Sequence, residues 1–303
     1  MELLGKTRID FIGKRNISFV ISAIISIVGL LGVIQVGRGA ANMGIDFSGG
    51  TAMQLKFSKA ISIADARAAL HKNGIAKADL QEIKDGNKLL VKMAGAAVGK
   101  PSEMVQTAFK KEFADNTFTV ESSTEIGPSI GDKLRKDTVV AAFLSLLGII
   151  LYIAWRFDSK FGVGAICATL HDCLAMFAVF FLMNKEINLL FITAVLTIAG
   201  YSLTDTVVVF DRIRENLHKN LKGAMHTIFN DSINEVLSRT IVTSLTVFLA
   251  AASLFFFGGE VIHDFSFALL IGVLVGTYSS VFVASPIVVI LENRALAQKT
   301  KTA

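Results

Sequence analysis

Apolar residues in this chain gather in long unbroken runs, unlike the alternating or one-faced patterns of elements that sit in water. Six runs, at about 17–36, 139–155, 163–183, 189–210, 241–257 and 265–291, approach or exceed the roughly 20 helical residues that cross a bilayer core. They predict six membrane-spanning helices. Between the first and second runs the pattern changes to mixed charge and short periods. TAMQLKF alternates as a strand, and SIADARAALHKNG carries Ser62 as an N-cap and stops at Gly74 like a helix. LQEIKDGNKLLVKM predicts two strands around a turn at Asp85 and Gly86, PSEMVQTAFKKEFAD a helix opening with Pro101, and NTFTVESSTEI a last strand. The order βαββαβ is that of a small α+β, ferredoxin-like domain.

Composition agrees with the runs. Apolar residues make up 52% of the chain and charged residues 18%, with a mean hydropathy of +0.58, well above the range of soluble domains. The net charge of +5 and isoelectric point near 9.1 do not change this picture. Lys and Arg stand in clusters at the ends of apolar runs instead of on one solvated face, so no nucleic acid is expected as a partner; the lipid bilayer is. Cys167 and Cys173 lie six positions apart in one run, on nearly opposite sides of a helix, and read as small buried hydrophobes.

The basic clusters also predict orientation. Lys6, Arg8, Lys14 and Arg15 precede the first run, Arg156 and Lys160 follow the second, basic residues from Arg212 to Arg239 link the fourth and fifth, and Arg294, Lys299 and Lys301 close the chain. All fall on one side if every run crosses, which places both termini in the cytoplasm. The opposite loops, NKEIN and GGEVIHD, are short and nearly free of basic residues. The first run is longer than a signal-peptide core and no small-residue cleavage site follows it, so a retained anchor is expected. The expected division is a cytoplasmic segment at 1–15, a first span at 16–37, a periplasmic domain at 38–136, a five-helix bundle at 137–293 and a cytoplasmic tail at 294–303.

Candidate chemistry is sparse. Gly5-Lys6-Thr7 ends like a phosphate-binding loop but lacks the glycine that must come before it, and the glycine pair in GIDFSGGT reads as a tight turn into a strand. No nucleophile and base are selected by their spacing, and no cofactor or metal site is expected; the chain does not read as an enzyme. The spans carry more. Gly272, Gly276, Ser280 and Ala284 recur every four residues in the last, and Thr193, Thr197, Gly200 and Thr204 form a second small stripe in the fourth, as close helix packing in lipid requires. Next to that stripe stands Asp205, where a carboxylate costs about 3 kcal/mol near the bilayer centre. It reads either as an aspartate reaching water at a helix end or as a charge facing the bundle interior, with Arg239 as candidate partner. A second polar pair, His171 and Asp172, lies near the middle of the third run, where the histidine is either a hydrogen-bonded core residue or a proton carrier.

GYSLTDTVVVFDRIREN, the outer GIDFSGGT, the third-run LHD, the fifth-run LSRT and the last-run IGVLVGTYSS together resemble the SecF half of the SecD/SecF family of protein-export membrane subunits. The resemblance spans nearly the whole chain. It implies half of an RND-like bundle that pairs with SecD, associates with the SecYEG channel and YajC, and uses the proton or sodium motive force to move a translocating preprotein across the bacterial inner membrane. It also implies proton passage at Asp205 and Arg239; with the polar residues read above, the expected ion pathway comprises Asp205, Arg239, Thr204, Asp172 and His171. The family pattern commonly has Asn before the Asp; this chain has Thr204, a hydroxyl in place of an amide. In general a desolvated carboxylate favours its neutral form and a nearby guanidinium the anion, so modest helix movement can load or release a proton. Two other readings stay open: a homo-oligomeric RND-type exporter of small molecules or ions, and a scaffold that transports nothing.

Overall fold

The computed structural model describes residues 7–76, 78–83, 87–94, 100–219 and 223–302. The turn expected at Asp85 and Gly86, the Gly5 and Lys6 of the loop-like motif, and the side chains of Lys299 and Lys301 lie outside what is described. The chain divides into two compact units, one of Asn42–Ala141 with Glu186–Leu189 and the other of the remaining residues.

In the smaller unit, β1 (Gly50–Phe57), β2 (Asp79–Ile83), β3 (Lys88–Ala94) and β4 (Phe118–Ile126) form an antiparallel sheet in the order β2-β3-β1-β4. The alternation that predicted β1 puts Met53, Leu55 and Phe57 on one face, where they meet Leu89, Val91, Val105 and Phe109 in a buried core. Two helices of this unit begin as their sequences require. Ser62 accepts the Asp65 N–H at 3.1 Å and caps one over Ile63–Lys72, while Pro101 occupies the first turn of the other, Pro101–Glu112. Ahead of β1, a single turn over Ile45–Ser48 runs into Gly49 (φ 68°) and Gly50 (φ 141°). A Cβ on Gly49 would lie 2.9 Å from Pro128 Cα and one on Gly50 2.2 Å from the Met93 carbonyl, so backbone conformation and space both demand glycine. Residues 186–189 belong to this unit through Gly44 N–H to Ile187 O (3.0 Å), Ile187 N–H to Asn42 O (2.8 Å) and a Lys92–Glu186 ion pair of 2.9 Å.

Counting those helices of the smaller unit as α2, α3 and α4, the long helices are α1 (Arg15–Gly37), α5 (Pro128–Arg156), α6 (Ser159–Leu182), α7 (Leu189–Lys219), α8 (Met225–Phe257) and α9 (Glu260–Ser279), which belong to the larger unit except for α5 up to Ala141 and the first residue of α7. A π turn over Ser280–Ala284 then leads into α10 (Ser285–Thr302). Among the described residues, six segments are long and apolar enough to cross a membrane, the last being the continuous Val261–Gln298. α7 and α8 run past their apolar runs as charged helix, supported by Arg212–Glu215, Lys219–Glu215 and Arg212–Glu235 ion pairs. At the same end Arg156 makes a bidentate contact with Asp211 (2.9 and 2.8 Å), and Lys160 meets Glu292 at 2.8 Å. Asn230 and Asn234 of α8 hold the backbone of Ile9, Phe11 and Ile12 there, so that Phe11 and Ile12 are buried. At the other end Lys185 meets Asp264 at 2.6 Å.

Close packing falls on small residues. α1 turns Ser18, Ser22, Gly29 and Gly32 inward and its large aliphatic residues outward. A Cβ on Gly29 would lie 2.0 Å from the Leu174 carbonyl oxygen of α6. Gly29→Ala is therefore expected to lower the thermal stability of the purified protein by about 1–3 kcal/mol, whereas Gly148→Ala, where a Cβ meets nothing within 4 Å, is expected to leave it unchanged or slightly raised. In the smaller unit the Lys72 ammonium, 2.8 Å from Glu112, holds that carboxyl below the usual range. The pair then stabilises the fold above the ordinary glutamate value, and this is lost as pH falls through the lowered one. Amide exchange in β1 and β3 is expected to separate Lys72→Ala from the parent chain at neutral pH, and the gap to close in acid.

Candidate functional site

Asp205 lies on the inner side of α7 with 7% of its surface exposed, and its Oδ2 has no hydrogen-bond partner among the described residues. Burying an ionised carboxylate without a partner costs several kcal/mol, so this is the least comfortable polar atom of the bundle. The groups acting on it come from α8: the Ser244 hydroxyl and, from beyond ion-pair distance, the Arg239 guanidinium, which is itself exposed. Ser244 is the hub of a small network. Its Oγ accepts from the Tyr201 hydroxyl at 3.2 Å and lies 2.6 Å from Thr277 Oγ1 of α9. One turn away on α8, the buried Thr240 Oγ1 is also without a partner among the described residues. Thr204 takes no part in this network, because its hydroxyl donates back to the Gly200 carbonyl of its own helix at 3.1 Å.

Three residues before Asp205, Ser202 faces a different cluster. Its hydroxyl donates to Asp172 Oδ2 of α6 at 2.5 Å, and Ser279 at the end of α9 donates to the same oxygen at 2.8 Å. His171 Nδ1 lies 3.0 Å from Asp172 Oδ1. Asp172 is wholly buried, and its hydrogen bonds tie α6, α7 and α9 together. The approach they need is allowed by Gly276, whose Cβ would lie 2.9 Å from Ser202 Cβ, and a Cβ on Gly272 would similarly strike Ile198 of α7 at 2.4 Å.

The sequence-predicted residues thus fall into separate places. Asp205 and Arg239 share one region of α7 and α8; His171 and Asp172 form the second cluster; Gly272, Gly276 and the buried Ser280 lie on the packed side of the last span. Gly200 does not join them. A Cβ there would meet nothing within 4 Å among the described residues, and the stripe of Thr193, Thr197, Gly200 and Thr204 is exposed. Sequence reasoning missed Ser202, Ser244, Thr277 and Ser279, and the inward stripe of α1. Cys167 and Cys173 are free thiols. No group of three or more His, Cys, Asp or Glu side chains placed to hold a metal occurs among the described residues.

Comparison with known proteins adds the family. Residues 105–294 match the family model described as protein export membrane protein SecD/SecF, C-terminal, and residues 41–61 match that of the SecD/SecF GG motif, which contains the Gly49-Gly50 turn. The chain belongs to the SecD/SecF family. Over 99% of its length it is 50% identical to the protein translocase subunit SecF of Thermodesulfovibrio yellowstonii, all of which is covered, and it is 40% identical over 95% to that of Endomicrobium trichonymphae, 93% of which is covered. The crystal structure of SecDF, a translocon-associated membrane protein from Thermus thermophilus, superposes on 95% of the chain with a TM-score of 0.80 at 35% identity. A second SecDF structure, in a super-membrane-facing form, does so on 99% with a TM-score of 0.72 at 34% identity. The chain spans 39% and 41% of those two longer chains. Like its SecD/SecF relatives it is a multi-pass membrane protein of the protein-transport class and not an enzyme.

Within this SecD/SecF bundle the serine hydroxyls on Asp172 have a measurable value. Ser279→Ala removes one donor from a buried carboxylate and is expected to cost about 1–3 kcal/mol in thermal unfolding of the detergent-solubilised protein, while Thr204→Ala, which removes only an exposed hydroxyl bonded to its own helix, is expected to change it by less than about 0.5 kcal/mol.

Proposed function

We propose that this chain pairs with SecD beside the SecYEG channel and YajC, and uses the ion gradient across the cytoplasmic membrane to promote movement and release of preproteins, with Asp205 as the group that carries the ion. The observation behind this reading is the buried Oδ2 of Asp205, without a partner among the described residues, with the Arg239 guanidinium acting on the carboxylate from beyond ion-pair distance. Two arrangements relieve that carboxylate: a proton or sodium ion on it, or a small approach of α8 that brings Arg239 into contact. They exclude one another, so occupancy of Asp205 and the spacing of α7 and α8 are linked. One charge crossing the membrane potential supplies about 2.3 kcal/mol per 100 mV, a roughly fiftyfold shift in such an equilibrium.

Both termini face the cytoplasm in this reading and the smaller unit stands in the periplasm, which fits the basic clusters gathered at the Arg156–Asp211 end. The exposed stripe around Gly200 then serves as the surface where a SecD helix comes close. Such a partner would also cover the hydroxyls of Thr193 and Thr197. The homo-oligomeric exporter has no comparable support, since the related SecDF chains contain this one as less than half of their length.

The test is preprotein export in inverted membrane vesicles with and without an imposed gradient. Asp205→Asn, assembled at the parent level, is expected to abolish the gradient-dependent component while leaving the gradient-independent rate intact, Asp205→Glu to restore part of it, and Arg239→Ala to resemble Asp205→Asn. An undiminished gradient response in Asp205→Asn removes Asp205 from the pathway. Native mass of the solubilised complex distinguishes a SecD-sized partner from a homo-oligomer.

A further inference from the structure

The cluster around Asp172 has a property that its packing role leaves unexplained. Asp172 is 0% exposed and His171 4%, and among the described residues no lysine or arginine pairs with the carboxylate; its ion-pair partner is the imidazole. Nε2 of His171 is buried without a hydrogen-bond partner among the described residues. The ring lies 6.0 Å, centre to centre, from Tyr278, whose hydroxyl is engaged elsewhere, donating to the Ser18 carbonyl and lying 3.1 Å from Ser22 Oγ of α1.

Charge balance limits the states of this pair. An imidazolium facing a carboxylate is neutral overall, and so is a carboxylic acid donating to a neutral imidazole. In both, Nε2 carries hydrogen, because Nδ1 is the atom committed to Asp172. Removing one proton leaves a carboxylate that accepts from Nδ1–H, with a bare lone pair on Nε2 and a net charge of −1. The atom that gains or loses the proton in passing between the first and last forms is therefore Nε2, which no described residue engages.

We propose that His171 and Asp172 form a second proton-binding unit, distinct from Asp205, which takes up and gives up a single proton through Nε2 of His171. Ser202 and Ser279 are its positioning residues: their hydroxyls hold Oδ2 whatever the charge and leave Oδ1 for the imidazole. The groups facing the pair carry no fixed charge. α1 presents Ser18 and Ser22, α9 presents Tyr278 and Ser279, α7 presents Ser202, and α6 itself adds the thiol of Cys173 beside Asp172, while Asp205 is acted on from α8 by Ser244 and Arg239. The assignment stands on this geometry and does not require Asp205 to carry the coupling ion.

The experiment is nitrogen NMR of the full chain with its SecD partner in lipid bilayers, with ¹⁵N-labelled histidine. The chain has five histidines, and His171→Gln identifies the resonance of interest. Nε2 of His171 is expected to pass reversibly between protonated and bare imidazole shifts in one step as the pH is varied over the range in which the complex stays assembled. Asp172→Asn is expected to weaken proton binding at least tenfold, and Asp205→Asn to change it by less than threefold. If Asp172→Asn does not assemble, Ser279→Ala serves in its place and is expected to strengthen proton binding by withdrawing a donor from the anion. An Nε2 fixed in one state across that range in the parent chain overturns the proposal, as does a midpoint indifferent to both substitutions. Failure of the export test at Asp205 would leave this titration standing, so the two ideas fail separately.

Discussion

Two serine hydroxyls from different helices meet on one carboxylate oxygen, and the bundle is organised around that junction. In hydrocarbon no water competes for Asp172 and none replaces a lost donor, while apolar side chains gain nothing by leaving lipid for one another. Helices there adhere where backbones come close and polar groups find partners. Ser202 and Ser279 satisfy Asp172 only if α7 and α9 approach within the reach of a Ser side chain, and Gly276 is the residue that permits it. The same logic sets α1 on α6 through Gly29 and Gly32, with Ser22 and the Ser18 carbonyl engaging Tyr278.

α7 reaches two polar regions of unlike character from neighbouring positions on one face. At Ser202, both carboxylate oxygens of Asp172 have hydrogen-bond partners; at Asp205, one turn on, one oxygen has no partner among the described residues and the arginine stands off. A fully bonded carboxylate resists displacement and a deprived one invites it. The arrangement places the rigid junction and the changeable one three residues apart on a single helix, so movement of α8 toward Asp205 meets a helix already held in place by Ser202.

The spans and the small domain were legible in the sequence because their signals are local. An apolar run needs no partner to be recognised, and the alternation of TAMQLKF or the Ser62 and Pro101 helix starts follow from backbone chemistry within a few residues. Asp205 was legible for the same reason, since its cost is visible wherever the helix goes. The donors to Asp172 were not. A serine in a span usually bonds back to its own helix, as Ser266 does and as Ser279 also does at the Gly276 carbonyl, and nothing in the sequence marks Ser202 and Ser279 as reaching another helix. The clamp of Asn230 and Asn234 on the backbone of Ile9 to Ile12 joins positions over 200 residues apart and leaves no periodic trace. The α1 stripe of Ser18, Ser22, Gly29 and Gly32 did have helical spacing, but the large aliphatic residues between obscured it.

The π turn at Ser280–Ala284, steadied by the Ser285 hydroxyl on the Ser280 carbonyl, sits between two differently used parts of the last span. Before it, Gly272 and Gly276 lie against α7; after it, Val288 lies against Gly164 of α6, together with the Ala284 carbonyl. An α-helix advances about 100° per residue, so one extra residue in a turn rotates everything downstream by nearly a third of a revolution. The last span is in effect two half-helices cut to different keys, joined by a gear with one spare tooth. Shifting that tooth along the helix would re-aim the residues it passes without lengthening the chain or breaking its path through the membrane.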